Sequence, residues 1–210
     1  LSNNMVQCIY QDKEGWMWFG SSQGLNRYDG YKFRTYRSDD GSSHAMMGSL
    51  VRCVYQDKKG NYWVGTENGG LNKFDLHTES FTKIRIRNSN KVYSANSICE
   101  DRNGRLWVGT EQGLCYLDNH GNLQYYNVQS DQHDGLIDIK KILVDKQNML
   151  WIGSSKQGLF WLNVHTKEFK SIDLPGGKLR GDEVQTIYQS KDGIIWIGTY
   201  YSGVYYVPTG

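Results

Sequence analysis

Apolar positions in this chain come in short runs of four to six residues, separated by polar turn chemistry, and the runs recur with a long period. Val6 to Tyr10, Val51 to Tyr55 and Val184 to Tyr188 open three of the periods, and each is followed by a second run built on Trp. The runs are rich in Val, Ile, Trp, Tyr and Phe and are bounded by Gly, Asn, Asp and Ser, which is the composition of β-strands and hairpin turns. No window sustains an apolar repeat of 3.6 residues, so strands are expected throughout and essentially no helix.

The second run carries a motif of Trp, an apolar residue, Gly and then Ser or Thr. It occurs as Trp18-Phe19-Gly20-Ser21, Trp63-Val64-Gly65-Thr66, Trp107-Val108-Gly109-Thr110, Trp151-Ile152-Gly153-Ser154 and Trp196-Ile197-Gly198-Thr199. The tryptophans step by 45, 44, 44 and 45 residues. A period this regular marks an array of like supersecondary units. Six residues before the Trp stands an Asp in four units (Asp12, Asp57, Asp101, Asp145) and Ser190 in the fifth. Three residues before it stands Gly15, Gly60, Gly104 or Gly193, with Asn148 in the fourth unit. Gly and Asn are the residues that accept a positive φ most readily, so this position reads as a hairpin turn. A Gly and an aliphatic residue follow the Trp by six or seven positions, then a polar turn and an aromatic run such as Phe169 to Ile172.

Each period thus holds four strands. The second is apolar on both faces, since Trp107 points one way and Leu106 and Val108 the other. Such a strand needs a sheet on either side of its own, and radially stacked four-stranded sheets supply that: a β-propeller with one blade per repeat. A β-helix is the alternative, but its coils are usually shorter. The expected blades are residues 1–49, 50–93, 94–137, 138–181 and 182–210. The fifth lacks its aromatic run, so the array is expected to be a cut from a larger ring rather than a five-bladed one.

Composition narrows the function. The net charge is +2 with both signs interleaved, and no basic cluster marks a nucleic-acid footprint. No run of 18 apolar residues is present to span a bilayer. The chain opens on Leu1 with no signal peptide, which reads as a mature or excised segment. Cys8, Cys53, Cys99 and Cys115 form no C-x-x-C or metal-ligand spacing and are read as small buried apolar residues with no disulfide.

The stretches CIYQDKEGWMWFGSSQGLNRYDGYKF, VYQDKKGNYWVGTENGGLNKFD and ICEDRNGRLWVGTEQGLCYLD resemble the two-component regulator propeller repeat of bacteria. The resemblance extends over all five units, with Asn148, Ser190 and the absent last strand as departures. It implies the periplasmic sensor region of an inner-membrane sensor histidine kinase, commonly a hybrid phosphorelay protein that controls carbohydrate use. It also implies seven-bladed rings, paired in the ectodomain. A membrane would be reached only through the parent chain. Partners would be the missing blades or the second propeller, with a homodimer as a further option.

Candidate chemistry is weighed against structural roles. Trp18, Trp63, Trp107, Trp151 and Trp196 are expected in the blade cores rather than as sugar-stacking platforms, because every unit has one. His77, His120 and His165 occupy equivalent turns in different blades, which diverge, so no metal site is expected there. No catalytic set and no cofactor motif stands out. The loops between the second and third strands open on the same end as the links between blades. Glu67, Asn68, Glu111, Gln112, Lys156, Gln157, Tyr200 and Tyr201 are the candidate ligand-binding residues in those loops. Amides and charges bond hydroxyl groups, and Tyr rings stack on pyranose faces, so an oligosaccharide is the expected ligand. The link segments 37–49, 87–96, 130–134 and 176–180 share that end. A protein-binding scaffold and a propeller enzyme acting on glycans are the alternatives.

Overall fold

A computed structural model describes residues 1–38, 44–86, 92–127, 137–172, 179 and 181–208. Link residues 39–43, 87–91, 130–134, 176–178 and 180 lie outside the described residues. The strands are β1 (Val6–Gln11), β2 (Met17–Ser21), β3 (Gly24–Tyr28) and β4 (Phe33–Tyr36), then β5 (Val51–Gln56), β6 (Tyr62–Thr66), β7 (Gly70–Asp75) and β8 (Ser80–Ile84). The third repeat gives β9 (Ala95–Glu100), β10 (Leu106–Thr110), β11 (Gly113–Leu117) and β12 (Leu123–Tyr125). The fourth gives β13 (Ile139–Val144), β14 (Met149–Ser154), β15 (Leu159–Asn163) and β16 (Phe169–Ile172), and the last β17 (Val184–Gln189), β18 (Ile195–Thr199) and β19 (Val204–Val207). Each repeat is its own antiparallel meander: four sheets have four strands and the fifth, β17-β18-β19, has three. Among the described residues there is no helix. The fold is all-β and of the β-propeller class, one sheet per repeat.

The recurring Asp explains the six-residue spacing to Trp. Asp12 Oδ1 accepts the backbone N–H groups of Glu14 and Trp16, at 3.1 and 2.8 Å, and Oδ2 accepts Trp18 Nε1 at 2.7 Å. The same carboxylate–indole bond joins Asp57 to Trp63 at 2.9 Å, Asp101 to Trp107 at 3.0 Å and Asp145 to Trp151 at 2.7 Å. One buried carboxylate thus satisfies both the first hairpin turn and the indole N–H beneath it. The turn residue has φ 89° at Gly15 and 65° at Asn148, as the Gly/Asn alternation requires. In the fifth sheet Ser190 is too short to reach the indole; its Oγ bonds Ile194 O at 3.0 Å instead. Trp18, Trp63, Trp107 and Trp151 are buried, whereas Trp196 is 40% exposed.

The motif Gly is where one sheet meets the next. A Cβ on Gly20 would stand 2.7 Å from Val51 Cγ1, and one on Gly65 2.5 Å from Ala95 O. Gly109 is closed off in the same way by Ile139, and Gly153 by Val184. Val51, Ala95, Ile139 and Val184 are the leading residues of the following sheets. In β5, β13 and β17, as in β1, a register shift falls directly after the leading residue, the kind of bulge that re-aims a side chain.

The chain divides into two compact units. In the first (Leu1–Ile98 with Leu117–Gln124), Trp18, Leu25, Tyr36, Val51, Val64, Phe74 and Phe81 form the core between the first two sheets. Tyr62 OH crosses that seam to Asp12 Oδ2 at 2.9 Å and Glu14 Oε2 at 3.1 Å. Burial, and then those two acceptors, pushes its phenol well above the usual range. In the second (Cys99–Tyr116 with Tyr125–Gly210), Trp107, Ile139, Leu150, Ile152 and Phe160 make one core, and Trp151, Leu159, Val184, Ile195 and Ile197 another.

Candidate functional site

The loops after β2, β6, β10, β14 and β18 share an end of their sheets with the links, as strand order dictates. The last residue of each motif closes its own loop. Ser21 Oγ donates to Gly24 O at 3.0 Å and Thr110 Oγ1 to Gly113 O at 2.8 Å, while the Thr66 hydroxyl, 3.2 Å from Gly70 O, lies nearer Met47 O of the link at 2.6 Å. Ser154 Oγ reaches Gly158 O at 2.9 Å and Thr199 Oγ1 reaches Gly203 O at 3.0 Å. Loop and link are then tied together through the backbone: Ser22 N–H to Met5 O at 3.3 Å, Glu67 N–H to Leu50 O, Ser155 N–H to Asp138 O and Tyr200 N–H to Glu183 O, the last three at 2.9 Å.

Each candidate residue sits on one of these braced loops. Glu67 is half-buried and pairs through Oε1 with Arg52 Nη2 at 3.1 Å. Asn68 is exposed with φ 53°, and its N–H donates to Ser94 Oγ at 3.2 Å. Glu111 and Gln112 are half-buried, the latter fixed by its N–H to Thr110 Oγ1 at 3.2 Å. Lys156 is exposed and its carbonyl accepts Gly181 N–H at 2.8 Å; Gln157 N–H donates to Ser154 Oγ at 2.8 Å. The contacts fixing each loop run within its own sheet or to the link beside it.

Tyr200 and Tyr201 are brought together most closely. Their rings lie 4.6 Å apart at 69°, and they are 64% and 80% exposed. Sequence reasoning missed what holds them. Asp182, buried in the preceding link, accepts Tyr201 N–H at 3.0 Å on Oδ1 and Ser202 N–H at 2.8 Å on Oδ2. Burial opposes ionisation of this carboxyl, but hydrogen bonds from Ser202, Tyr201 and Thr199 outweigh it and hold its pKa down at about 2. Two more missed residues anchor links. Asn26 Oδ1 accepts Ser2 N–H at 2.8 Å, and Asn72 Oδ1 accepts Met47 N–H at 2.9 Å. Their signal was present in the repeated Gly-Leu-Asn of the first two units.

The three histidines occupy separate turns, each capped by the residue two before it: Asp75 for His77, Asp118 for His120 and Asn163 for His165. Asp75 and Asp118 are held below the usual carboxylate range chiefly by backbone hydrogen bonds, from Thr78 and from Asn122 respectively. Among the described residues, no group of three or more His, Cys, Asp or Glu could hold a metal ion, and no helix is long and apolar enough to cross a membrane.

Sheets linked by an Asp–Trp frame, a packing Gly and hydroxyl-closed loops define a β-propeller repeat protein. Residues 1–23, 46–68, 87–112 and 178–201 match the model of the two component regulator propeller. Residues 113–177, which hold most of the fourth repeat with Asn148 in its turn, fall outside the match. The extracellular domain of a putative hybrid two component system from B. thetaiotaomicron is 26% identical, over 100% of this chain and 34% of its own length, with a TM-score of 0.66. The extracellular domain of a putative one component system from B. thetaiotaomicron is 25% identical, over 98% of this chain and 30% of its own, with a TM-score of 0.78. Virginiamycin B lyase from Staphylococcus aureus shares the fold, with a TM-score of 0.70 at 15% identity, over 97% of this chain and 69% of its own. No curated protein matches. The chain spans about a third of the length of the two extracellular domains, and it is homologous to them.

Proposed function

We propose that the chain is a non-catalytic, ligand-sensing segment of the periplasmic ectodomain of a bacterial two-component sensor kinase, and that its ligand is an oligosaccharide. Its likeness to extracellular domains of putative hybrid two component systems along its whole length carries the reading. The ligand class is supported by the loop end of the sheets. There an exposed aromatic pair, Tyr200 and Tyr201, stands on a loop pinned by Asp182, and the equivalent loops carry Glu67, Asn68, Glu111, Gln112, Lys156 and Gln157. Rings of this kind stack on pyranose faces, and the amides and charges bond hydroxyl groups. Loops on a rigid β-scaffold are the usual place for such recognition. Signal output belongs to the parent chain, with a histidine kinase beyond a membrane segment.

The test is calorimetry on the intact ectodomain with a panel of neutral and acidic oligosaccharides, repeated with Tyr200→Ala and Tyr201→Ala together. One oligosaccharide is expected to bind, and the double variant to bind it about tenfold more weakly, the weight of one good aromatic contact. Binding unchanged in the variant would move the site off this end. Turnover of the bound glycan would replace the sensor with an enzyme, and capture of a protein in place of any sugar would make it a scaffold.

A further inference from the structure

We propose that Arg52 and Glu67 form one subsite for an uncharged sugar residue, with Arg52 donating to, and Glu67 accepting from, neighbouring hydroxyl groups; the proposal rests on the reading of the ligand as an oligosaccharide.

Arg52 is placed by an irregularity of the backbone. In β5, Val51 pairs with Thr66 and Cys53 with Gly65, so Arg52 is an extra residue with no partner on β6. The same irregularity falls at Gln7 in β1, Lys140 in β13 and Gln185 in β17. The extra residue is each time a long hydrogen-bonding side chain, next to the end of the strand that meets the loop. A bulge re-aims the side chain it carries. In β5 that side chain reaches the loop: Arg52 Nη2 lies 3.1 Å from Glu67 Oε1.

The loop is held by its backbone, so its side chains are not needed to fix it. Glu67 N–H donates to Leu50 O at 2.9 Å, and Asn68 N–H to Ser94 Oγ at 3.2 Å. Beyond their mutual contact, the side chains of Arg52 and Glu67 make no hydrogen bond or ion pair among the described residues, and the Asn68 amide makes none. Arg52 Nε is buried without a partner there, so the fold alone leaves the guanidinium incompletely satisfied. Glu79 of the same unit shows the contrasting, structural case: it takes Arg27, Arg34 and, at 3.1 Å, the Tyr36 hydroxyl. The side chains of Arg52 and Glu67 are each 36% exposed, which leaves the pair open to a ligand.

Charge decides the ligand class. A guanidinium alone would select a carboxylate or a sulfate. Here Glu67 already balances it, and an anionic sugar would meet that carboxylate at the same place. A hydroxyl group both donates and accepts, so two of them match a donor and an acceptor held side by side. The second unit, taken by itself, carries the same kind of balanced pair at its charged bulge: Lys140 Nζ lies 3.1 Å from Asp138 Oδ2. The bulges at Gln7 and Gln185 are uncharged.

Calorimetry on the intact ectodomain tests this with neutral hexose and pentose oligosaccharides and with uronate- and sulfate-bearing ones, using wild type, Arg52→Gln and Glu67→Gln. A neutral oligosaccharide is expected to bind best, its affinity changing less than about twofold between low and high salt, as suits an uncharged ligand. Each variant is expected to bind it at least about tenfold more weakly. Melting temperatures should stay as in wild type, because a half-exposed ion pair adds little stability. Glu67→Gln leaves Arg52 unbalanced and is also expected to gain affinity for the uronate-bearing form. Failure of every oligosaccharide to bind would overturn the oligosaccharide reading and this subsite with it. An acidic oligosaccharide preferred by the wild type, neutral binding unaltered in either variant, or no gain for the uronate form in Glu67→Gln would overturn the subsite alone. A variant that loses binding and melting temperature together would make the pair a structural one and overturn the subsite as well.

Discussion

Arg102 donates its backbone N–H to Asn148 Oδ1 at 2.8 Å, joining the third sheet to the fourth. On the first–second and fourth–fifth seams a Gln accepts the equivalent bond, but the fourth sheet has Val144 there, which has no side-chain acceptor. The turn residue Asn148 takes over that task while also holding a φ of 65°. The two roles separate by substitution. Asn148→Gly keeps the turn and loses the bond, at about 1 kcal/mol. Asn148→Ala loses the bond and strains the turn, at about 2–3 kcal/mol. Urea unfolding of the two variants checks the order.

Trp107 is nearly fully buried and bonded to Asp101, itself buried. Trp107→Ala should cost about 3–5 kcal/mol, as large truncations in a packed core do. Trp107→Phe keeps much of the packing but leaves Asp101 Oδ2 without its indole donor, at about 1.5–3 kcal/mol, the weight of a hydrogen bond to a charged group. Denaturant midpoints at neutral pH measure both, and a Phe variant as stable as wild type would deny the carboxylate–indole bond its role.

Asp182 carries a pH signature. Its folded pKa of about 2 lies below the ordinary Asp value of about 3.9. The stability it contributes is therefore complete above about pH 4 and is lost as pH falls through about 2. Asp182→Asn should remove that acid dependence, so that wild type and variant differ at neutral pH and converge near pH 2. Tyr fluorescence of the 200–201 loop, followed through an acid titration, is the readout. A difference that persists unchanged at pH 2 would mean the carboxylate is not what pins the loop.

None of the four cysteines is in a disulfide. Burial pushes Cys115 up to about 12 and raises Cys99 as well, which withholds the thiolate that reacts. Cys8 and Cys53 are only half-buried. A disulfide-exchange reagent should modify these two first in the native protein, and all four in denaturant without reductant. Fewer than four in denaturant would indicate a bridge.

What could be read from sequence was whatever one hairpin settles by itself. Asp12 and Trp18 are six residues apart and meet within a single turn, so their spacing announced both the turn and the burial. Positive φ at Gly15 and Asn148 followed from residue type alone. The position of Glu67, Lys156 and Tyr200 on loops at the link end followed from counting strands. The hidden part lay in contacts between residues distant in sequence. Asn148 meets Arg102 across 46 positions, and Asp182 reaches Ser202 across 20. Asn148 as an acceptor and Asp182 as a pin have no counterpart in the other repeats, so no periodic signal pointed to them. The exposure of Trp196 was also concealed, because its motif reads like the other four while its Asp is replaced by Ser190.

The hydroxyl that closes each loop on its own sheet has an evolutionary consequence. Because Ser21, Thr66, Thr110, Ser154 and Thr199 fasten the loop ends from within the motif, the residues between those ends are not needed to hold the strands together. The fourth repeat already accommodates a loop one residue longer there, with Ser154 Oγ still closing it on Gly158 O at 2.9 Å. Surface chemistry at this end can therefore be rewritten blade by blade, by point change or insertion, without renegotiating the architecture beneath it.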